Sequence, residues 1–378
     1  MILIACNTNK NKTQTSVQQD STQTDEIVFV ERFPELTEGE VELDESCFWE
    51  IIELKGEQKI TNEIFQVRET QLIVKDTFLM VANLNSGNMC MVFSLPDFKL
   101  IRSFGKQGKG PGEFQFPKLV QAEGDECLCY VYESANSHLF SMKKDLTFSE
   151  LPFKLSDPQI NRSMNDKQIY SFSSTNFVYA ESVKSGKAIF DFSIHNDSVQ
   201  TNLIYNLSFS KGHKSWASYI GDFGANAEKE RLVYAYKYFK RLVFIDTKNQ
   251  KSRTLLFDSG EAKKGDALSV MSPQNITHYW GMSAQKEFVY VLYSGRSPVD
   301  VQKEWGNKQY YIFVEKYDWN GNPIAKYQLD NWGYFCVDEP HQKLYLASVN
   351  DAEPFFEFSL EWCGYVLFIG NTLPLSPS

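Results

Sequence analysis

The stretch "RSFGKQGKGPGEFQFP", Arg102 to Pro117, places four glycines (Gly105, Gly108, Gly110 and Gly112) and two prolines within sixteen residues. Such a run either cradles a phosphate or turns a chain. A P-loop needs Gly-Lys-Ser/Thr after a four-residue gap; Gly105 and Gly110 have the gap, but Pro111 and Gly112 follow. A dinucleotide loop needs G-x-G-x-x-G opening a helix. Here Gly108, Gly110 and Gly112 are spaced G-x-G-x-G, and Pro117 soon breaks any helix. The run therefore reads as a structural loop, in which glycine supplies positive φ and close backbone approach.

The segment just before the loop, "MVFSLPDFKLI" around Phe93, is the first of six copies of one pattern: an apolar strand ending in an aromatic, a polar turn, and another apolar strand. The others are "HLFSMKKDLTF" (Phe140), "IFDFSIHNDSV" (Phe192), "LVFIDTKNQKS" (Phe244), "VEKYDWNGNPI" (Tyr317) and "FFEFSLEWCGY" (Phe358), at spacings of 47, 52, 52, 73 and 41 residues. A period near 50 built from short strands and tight turns marks a β-propeller, whose blades are four-stranded sheets around a channel. Each unit has room upstream for two more strands, such as "QLIVKDTFLMVAN" in the first and "KLYLASV" in the sixth. The expected fold is all-β: a six-bladed β-propeller of four-stranded antiparallel blades. The glycine loop is then the crossing from the outer strand of the first blade to the inner strand of the second. The 73-residue spacing implies an insertion on the fifth blade, within 258–309.

A ring must join its last blade to its first, since open edges invite aggregation. "CFWEIIEL", Cys47 to Leu54, precedes the first complete blade and is expected to be the outer strand of the sixth, so that an N-terminal strand closes the ring. "YVLFIG", Tyr365 to Gly370, is the rival for that slot. The domain reading is 1–26 a signal remnant and tether, 27–362 the propeller, and 363–378 a C-terminal tail.

"FGKQGKGPGEFQFP" resembles the F-G-x-x-G-x-G-P-G-E-F element of TolB-like six-bladed propeller lipoproteins of Gram-negative bacteria, and more loosely the NHL repeat. The run from "FVEKYDWNGNPI" to "FFEFSL" is similar to the end of the same family, so the likeness covers about residues 45–361. The resemblance implies a propeller fold and export. It implies no established activity and supplies no catalytic residues to carry over.

"LIAC", Leu3 to Cys6, resembles a bacterial lipobox, making Cys6 the expected lipidation site. The next twenty residues, "NTNKNKTQTSVQQDSTQTDE", hold a single valine and suit a flexible tether. Only five residues precede Cys6, whereas an export signal needs a basic and an apolar region, so the true signal is expected upstream of the given start. The expected address is the cell envelope, on the outer membrane or periplasmic face, with a membrane contact only through the lipid.

A net charge of -10 argues against nucleic acid or an anionic membrane surface as partner. The one basic cluster, "YKYFKR" with Lys237, Lys240 and Arg241, reads as a solvated hairpin edge. The cysteines form no C-x-x-C pair, and the five histidines, His138, His195, His213, His278 and His341, stand isolated, so neither a metal nor another cofactor is expected. "DWNGN", Asp318 to Asn322, has its glycine two positions too early for a calcium loop and reads as a turn. No nucleophile elbow is present, and no catalytic residue is nominated. The aromatics of the fifth-blade insertion, Tyr279, Trp280, Trp305, Tyr310 and Tyr311, are the candidate ligand-binding residues. The functional expectation is a monomeric, non-catalytic binding protein with a glycan, peptide or protein ligand. The alternative is an envelope hydrolase or lactonase with a metal or carboxylate site in the channel.

Overall fold

The computed structural model describes residues 33–360 except 49, 62, 64–66, 68, 85–86, 111, 125, 156–167, 185, 196–197, 211–215, 258–271 and 274. Three short strands come first: β1 (Gly39–Leu43), β2 (Ile51–Leu54) and β3 (Glu57–Lys59). Blade I is β4 (Thr70–Lys75), β5 (Phe78–Asn83), β6 (Asn88–Ser94) and β7 (Lys99–Lys106). Blade II is β8 (Pro117–Gln121), β9 (Cys127–Glu133), β10 (His138–Lys143) and β11 (Phe148–Lys154). Blade III is β12 (Gln168–Ser171), β13 (Asn176–Val183), β14 (Gly186–His195) and β15 (Ser198–Asn206). Blade IV is β16 (Gly221–Asn226), β17 (Arg231–Tyr236), β18 (Arg241–Asp246) and β19 (Lys251–Phe257). Blade V is β20 (Thr277–Ala284), β21 (Phe288–Arg296), β22 (Ile312–Asp318) and β23 (Pro323–Leu329), with helix α1 (Pro298–Gly306) between β21 and β22. Blade VI is β24 (Gly333–Asp338), β25 (Lys343–Ser348) and β26 (Phe355–Ser359). The inner strands meet in a closed circuit, β4 to β8, β12, β16, β20, β24 and back to β4. The protein is a six-bladed propeller.

All six pattern aromatics fall on the third strand of their blades. Phe93, Phe192, Phe244, Tyr317 and Phe358 are buried and Phe140 is half-buried. Third strands lie well out from the axis, where wedge-shaped gaps between blades widen, and large rings fill that taper.

An N-terminal strand closes the ring, but it is not the one the sequence suggested. β3 completes blade VI, antiparallel to β26 with Lys59 opposite Phe355. Ile51–Leu54 instead lies parallel to β23 as a fifth strand of blade V, Ile51 opposite Lys326 and Leu54 opposite Leu329. β1 likewise adds a parallel fifth strand to blade IV, Gly39 opposite Arg253. The physical reason is local. Phe48 is buried against Phe257 and Tyr317, with ring centroids 6.3 and 5.7 Å away, which fixes "CFWEIIEL" at the IV–V boundary. Gly56 then lets the chain pass close to blade VI, since a Cβ there would lie 2.7 Å from Phe358 Cζ. The closing strand, "EQK", has no apolar residue to advertise it. The rival segment, 365–370, lies outside the described residues.

This N-terminal strap is anchored at its start by the "DWNGN" turn. Asp318 accepts from the N–H groups of Asn320 and Asn322 at 2.9 Å each, and Gly321 takes φ +83°. The turn's Asn322 then pairs with the backbone of Phe33 in both directions, at 2.6 and 2.9 Å. Fully buried Arg253 fills the space beneath, donating to the Asn320 carbonyl at 2.6 Å and stacking 3.8 Å from the centre of the Phe33 ring.

The glycine loop crosses from β7 to β8 as expected. Gly105 and Gly112 adopt φ +75° and +72°. The Gly108 N–H donates to the Phe114 carbonyl at 3.0 Å, and the Gly110 N–H donates to the Glu113 carboxylate at 2.8 Å. Just beyond, the buried carboxylate of Glu133 accepts from the N–H groups of Gln115, Phe116 and Ala135 at 2.8, 3.1 and 2.9 Å. The anions facing these amides are the protein's own carboxylates. Within the blades, Cys90, Cys127, Cys129 and Cys336 are buried, and burial pushes the Cys129 thiol up to about 12.

Candidate ligand site at the channel mouth

Strands alternate in direction within a blade, so the crossings between blades and the turns between second and third strands share one face of the disc. The glycine loop, the "YKYFKR" turn and α1 all belong to this crossover face. The start of each inner strand forms the rim of the channel there. Gln168 at the start of β12 donates through Nε2 to Asp222 Oδ1 on β16 at 3.3 Å. Lys237, from the β17–β18 turn, is coupled to Asp222 and places Nζ 4.9 Å from the ring centre of Trp280 on β20. Trp280 meets Tyr334 of β24 at 6.3 Å between centroids, and the Tyr334 hydroxyl accepts from the Glu69 N–H just before β4 at 3.1 Å. One arc of half-buried side chains thus runs over blades III to VI.

The arc is electrostatically costly. Burial raises the Asp222 carboxyl above the ordinary carboxylate range, against the pull of Lys237, Lys187 and the Gln168 hydrogen bond. Burial likewise lowers the Lys237 ammonium, against the attraction of Asp222. Among the described residues, neither Trp280 Nε1 nor Gln168 Oε1, both shielded from solvent, has a hydrogen-bond partner. Buried polar atoms are normally satisfied, and these two, a donor and an acceptor closed off from solvent, gain an outside partner only when side chains around them move aside.

At the opposite end of the channel a hydrogen bond spans the ring. Gln121 at the end of β8 reaches across to donate to the Ala284 carbonyl at the end of β20, 3.3 Å away, linking blades II and V on opposite sides of the ring.

The aromatics nominated from the sequence divide. Trp280 lies at the rim. Trp305, on α1, packs 6.1 Å from Trp332, which lies 6.0 Å from Trp280. Tyr311 is held under Arg296, 4.0 Å from the guanidinium, and donates to Glu304 at 3.3 Å; Tyr310 is half-buried beside it. Tyr279 points into the IV–V core, fully buried, with its hydroxyl 3.3 Å from Glu315. The helix that carries Trp305 begins where Ser297 caps the N–H of Asp300 and Pro298 takes the first helical position. Cys6 lies outside the described residues.

Sequence reasoning missed Gln168, Asp222 and Lys237. The signal was "YKYFKR", read as a solvated edge. Instead Lys240 and Arg241 are buried under the strap, Lys240 paired with Glu45 and 3.8 Å from Glu315, and Arg241 2.9 Å from Glu40. Lys237 turns the other way, into the mouth. Aromatic neighbours and burial together could have identified it as an inward cation.

The chain matches the family described as TolB-like 6-blade propeller-like over residues 50–340. It belongs to the TolB-like propeller family. No curated protein matches it in sequence. Among solved structures, this TolB-like propeller is similar to a member of the DUF4221 family from Bacteroides vulgatus, at 13% identity and a TM-score of 0.51, over 81% of this chain and 96% of that one. A putative exported protein from Bacteroides fragilis is similar at 12% identity and a TM-score of 0.48, over 84% and 98% of the two chains. A calcium-binding protein, regucalcin, from Agrobacterium tumefaciens is similar at 12% identity and a TM-score of 0.43, over 81% and 94%. These likenesses describe the fold. Among the described residues of this chain, no group of three or more His, Cys, Asp or Glu side chains is arranged to hold a metal ion, and no helix is long and apolar enough to cross a membrane.

Proposed function

We propose that this TolB-like propeller is a lipid-anchored binding protein of the cell envelope that receives its ligand at the channel mouth on the crossover face. The observation that carries the reading is the arc from Gln168 through Asp222 and Lys237 to Trp280, with one donor and one acceptor left without a hydrogen-bond partner among the described residues. Inner strands hold each of these groups or the turn that bears them, and a ligand reaches the shielded Gln168 and Trp280 atoms by displacing the side chains that cover them. The envelope address rests on the "LIAC" box at Cys6 and the polar tether after it.

A channel enzyme acting through carboxylates is the second reading, and the coupled Asp222–Lys237 pair favours it, because displaced carboxyl and amine titrations are what acid–base chemistry uses. Screening glycans and peptides against the full chain, then mapping amide hydrogen exchange with the best binder, tests the first reading. Protection is expected at the starts of β12, β16, β20 and β24. Protection confined to the outer strands or the opposite face contradicts it, and multiple turnover of the binder moves the assignment to the enzyme.

A further inference from the structure

The outer edge of blade III differs from every other edge of the ring. Blades IV, V and VI are covered by β1, β2 and β3; of these new edges, β1 and β2 carry Glu40, Glu42 and Glu53, and β3 is only three residues long. On blade I, β7 carries Lys99, Arg102 and Lys106, and on blade II, β11 carries Glu150, Pro152 and Lys154. Charge, proline and short length are ordinary means of keeping an edge from pairing with another chain. The outer strand of blade III, β15, "SVQTNLIYN", has none of them. At nine residues it is the longest outer strand, and it follows β14 in unbroken register from Ser198 to Leu203, with a shift only beyond that point. Among the described residues no strand lies on its outer side, and Leu203 near its middle is 61% exposed.

We infer that β15 pairs antiparallel with β15 of a second copy of this chain across a two-fold axis, joining the two blades into one continuous sheet. This departs from the monomer expected from the sequence. Charge selects the occupant. Each copy carries a net charge of -10, so two copies approach with least repulsion where the edge is neutral. A two-fold axis sets a surface against itself, and like charges directly opposed on paired strands are destabilising. Self-pairing through β1 would gather Glu40 and Glu42 of both copies, and through β7 would gather Lys99, Arg102 and Lys106. Self-pairing through β11 would centre on Pro152, which has no N–H to donate. Through β15 no charge meets a like charge. Asp191, opposite Asn202 on β14, is held within its own copy by the Asn202 backbone N–H and side-chain amide at 2.7 and 3.4 Å.

A two-fold at Asn202, the centre of Ser198–Asn206, overlays the whole strand. It sets Leu203 opposite Thr201 of the partner subunit and diagonal to the partner's Leu203, a distance at which long side chains still interact. The exposed leucine is then covered from both sides. A contact made by one pair of edge strands buries less than the roughly 1,200–2,000 Å² of a stable complex, so the dimer forms and dissociates with concentration.

Sedimentation equilibrium of the full chain tests this. A monomer–dimer equilibrium is expected, with Kd between about 10 μM and 1 mM. Leu203→Lys sets like charges on the diagonal and should weaken the dimer about tenfold or more at unchanged Tm, because Leu203 is exposed. An equimolar mixture of Leu203→Lys and Leu203→Glu should associate again, which a folding defect would not allow. Ile101→Lys, at an exposed apolar residue of β7, should leave the dimer as it is. Protein that stays monomeric up to about 1 mM overturns the inference, and so does a dimer indifferent to Leu203→Lys. Assembly that continues past the dimer overturns the two-fold. Monomeric protein that captures neutral decapeptides in a Leu203-dependent way overturns the second copy as occupant and gives the edge to a foreign strand.

Discussion

Glu45 and Lys326 are 281 residues apart in sequence, and their side chains meet at 2.7 Å. Lys326 also lies 3.1 Å from Glu315, which is 0% exposed, and Lys240 joins both carboxylates. Two ammonium groups and two carboxylates thus balance at the boundary of blades IV and V. Glu45 is the only one of the four contributed by the strap. Burial drives the Lys240 ammonium down to about 8, so this cation has little reserve of favourable surroundings.

Glu45→Gln should leave the two lysines facing one buried carboxylate. Because the Glu45 side chain is itself half in solvent, the expected loss is about 1–2 kcal/mol and not the larger penalty of a fully buried pair. Urea unfolding of the variant and the parent measures it. An unchanged midpoint would show that the strap is held by its strand pairing alone.

Deleting residues 1–59 removes β1, β2 and β3 together. It uncovers the outer edges of blades IV, V and VI, and open edges pair with other chains. The expected result is aggregation, read by light scattering. Deleting 1–26 leaves every one of these pairings in place and should leave the thermal transition unchanged. Equal behaviour of the two deletions would contradict ring closure by β3.

Gly105→Ala tests the crossing. The residue needs φ +75°, and a Cβ there would run into the ring of Phe114, which is packed among Phe140 and Phe148. The cost should be about 2–3 kcal/mol in chemical denaturation. Gly112→Ala, also at positive φ but with open space around it, should cost about 1 kcal/mol. If the two cost the same, crowding at Phe114 is not what fixes the loop.

Asp222→Asn should show the electrostatic cost of the mouth through pH. Native Asp222 holds its proton more tightly than the unfolded chain does, so its contribution is most favourable at low pH and is lost as pH rises through its native titration. The variant should therefore gain stability relative to the parent as pH rises above about 4, the ordinary carboxylate value of the unfolded chain. A difference in Tm that is flat or declines as pH rises would mean that Lys237, Lys187 and Gln168 together compensate the carboxylate fully.

The repeat was legible because each third strand needs a large ring to fill a widening gap, and Phe93, Phe192, Phe244, Tyr317 and Phe358 all record that need. The glycine loop was legible because positive φ at Gly105 and Gly112 restricts the choice of residue. Closure was half legible. "CFWEIIEL" shows its apolar character and its second half, Ile51–Leu54, is a strand, yet the strand that closes blade VI is the polar "EQK", whose place is set by Gly56 and by backbone pairing. The mouth was least legible, since Gln168, Asp222, Lys237 and Trp280 come from three blades and span 113 positions of sequence, with no spacing rule linking them. Only the turn of the ring brings them together.

The most direct test of the mouth as the ligand site is the indole N–H spectrum of the full chain during titration with the best-binding saccharide or peptide. Trp280→Phe assigns the Trp280 resonance among the seven tryptophans. The account predicts that the Trp280 signal moves most, because its N–H gains a partner, and that Trp319, whose indole already donates to the Gln285 carbonyl at 3.0 Å, stays still. Movement confined to exposed Trp216, or a Trp280 signal unchanged at saturation, would contradict it.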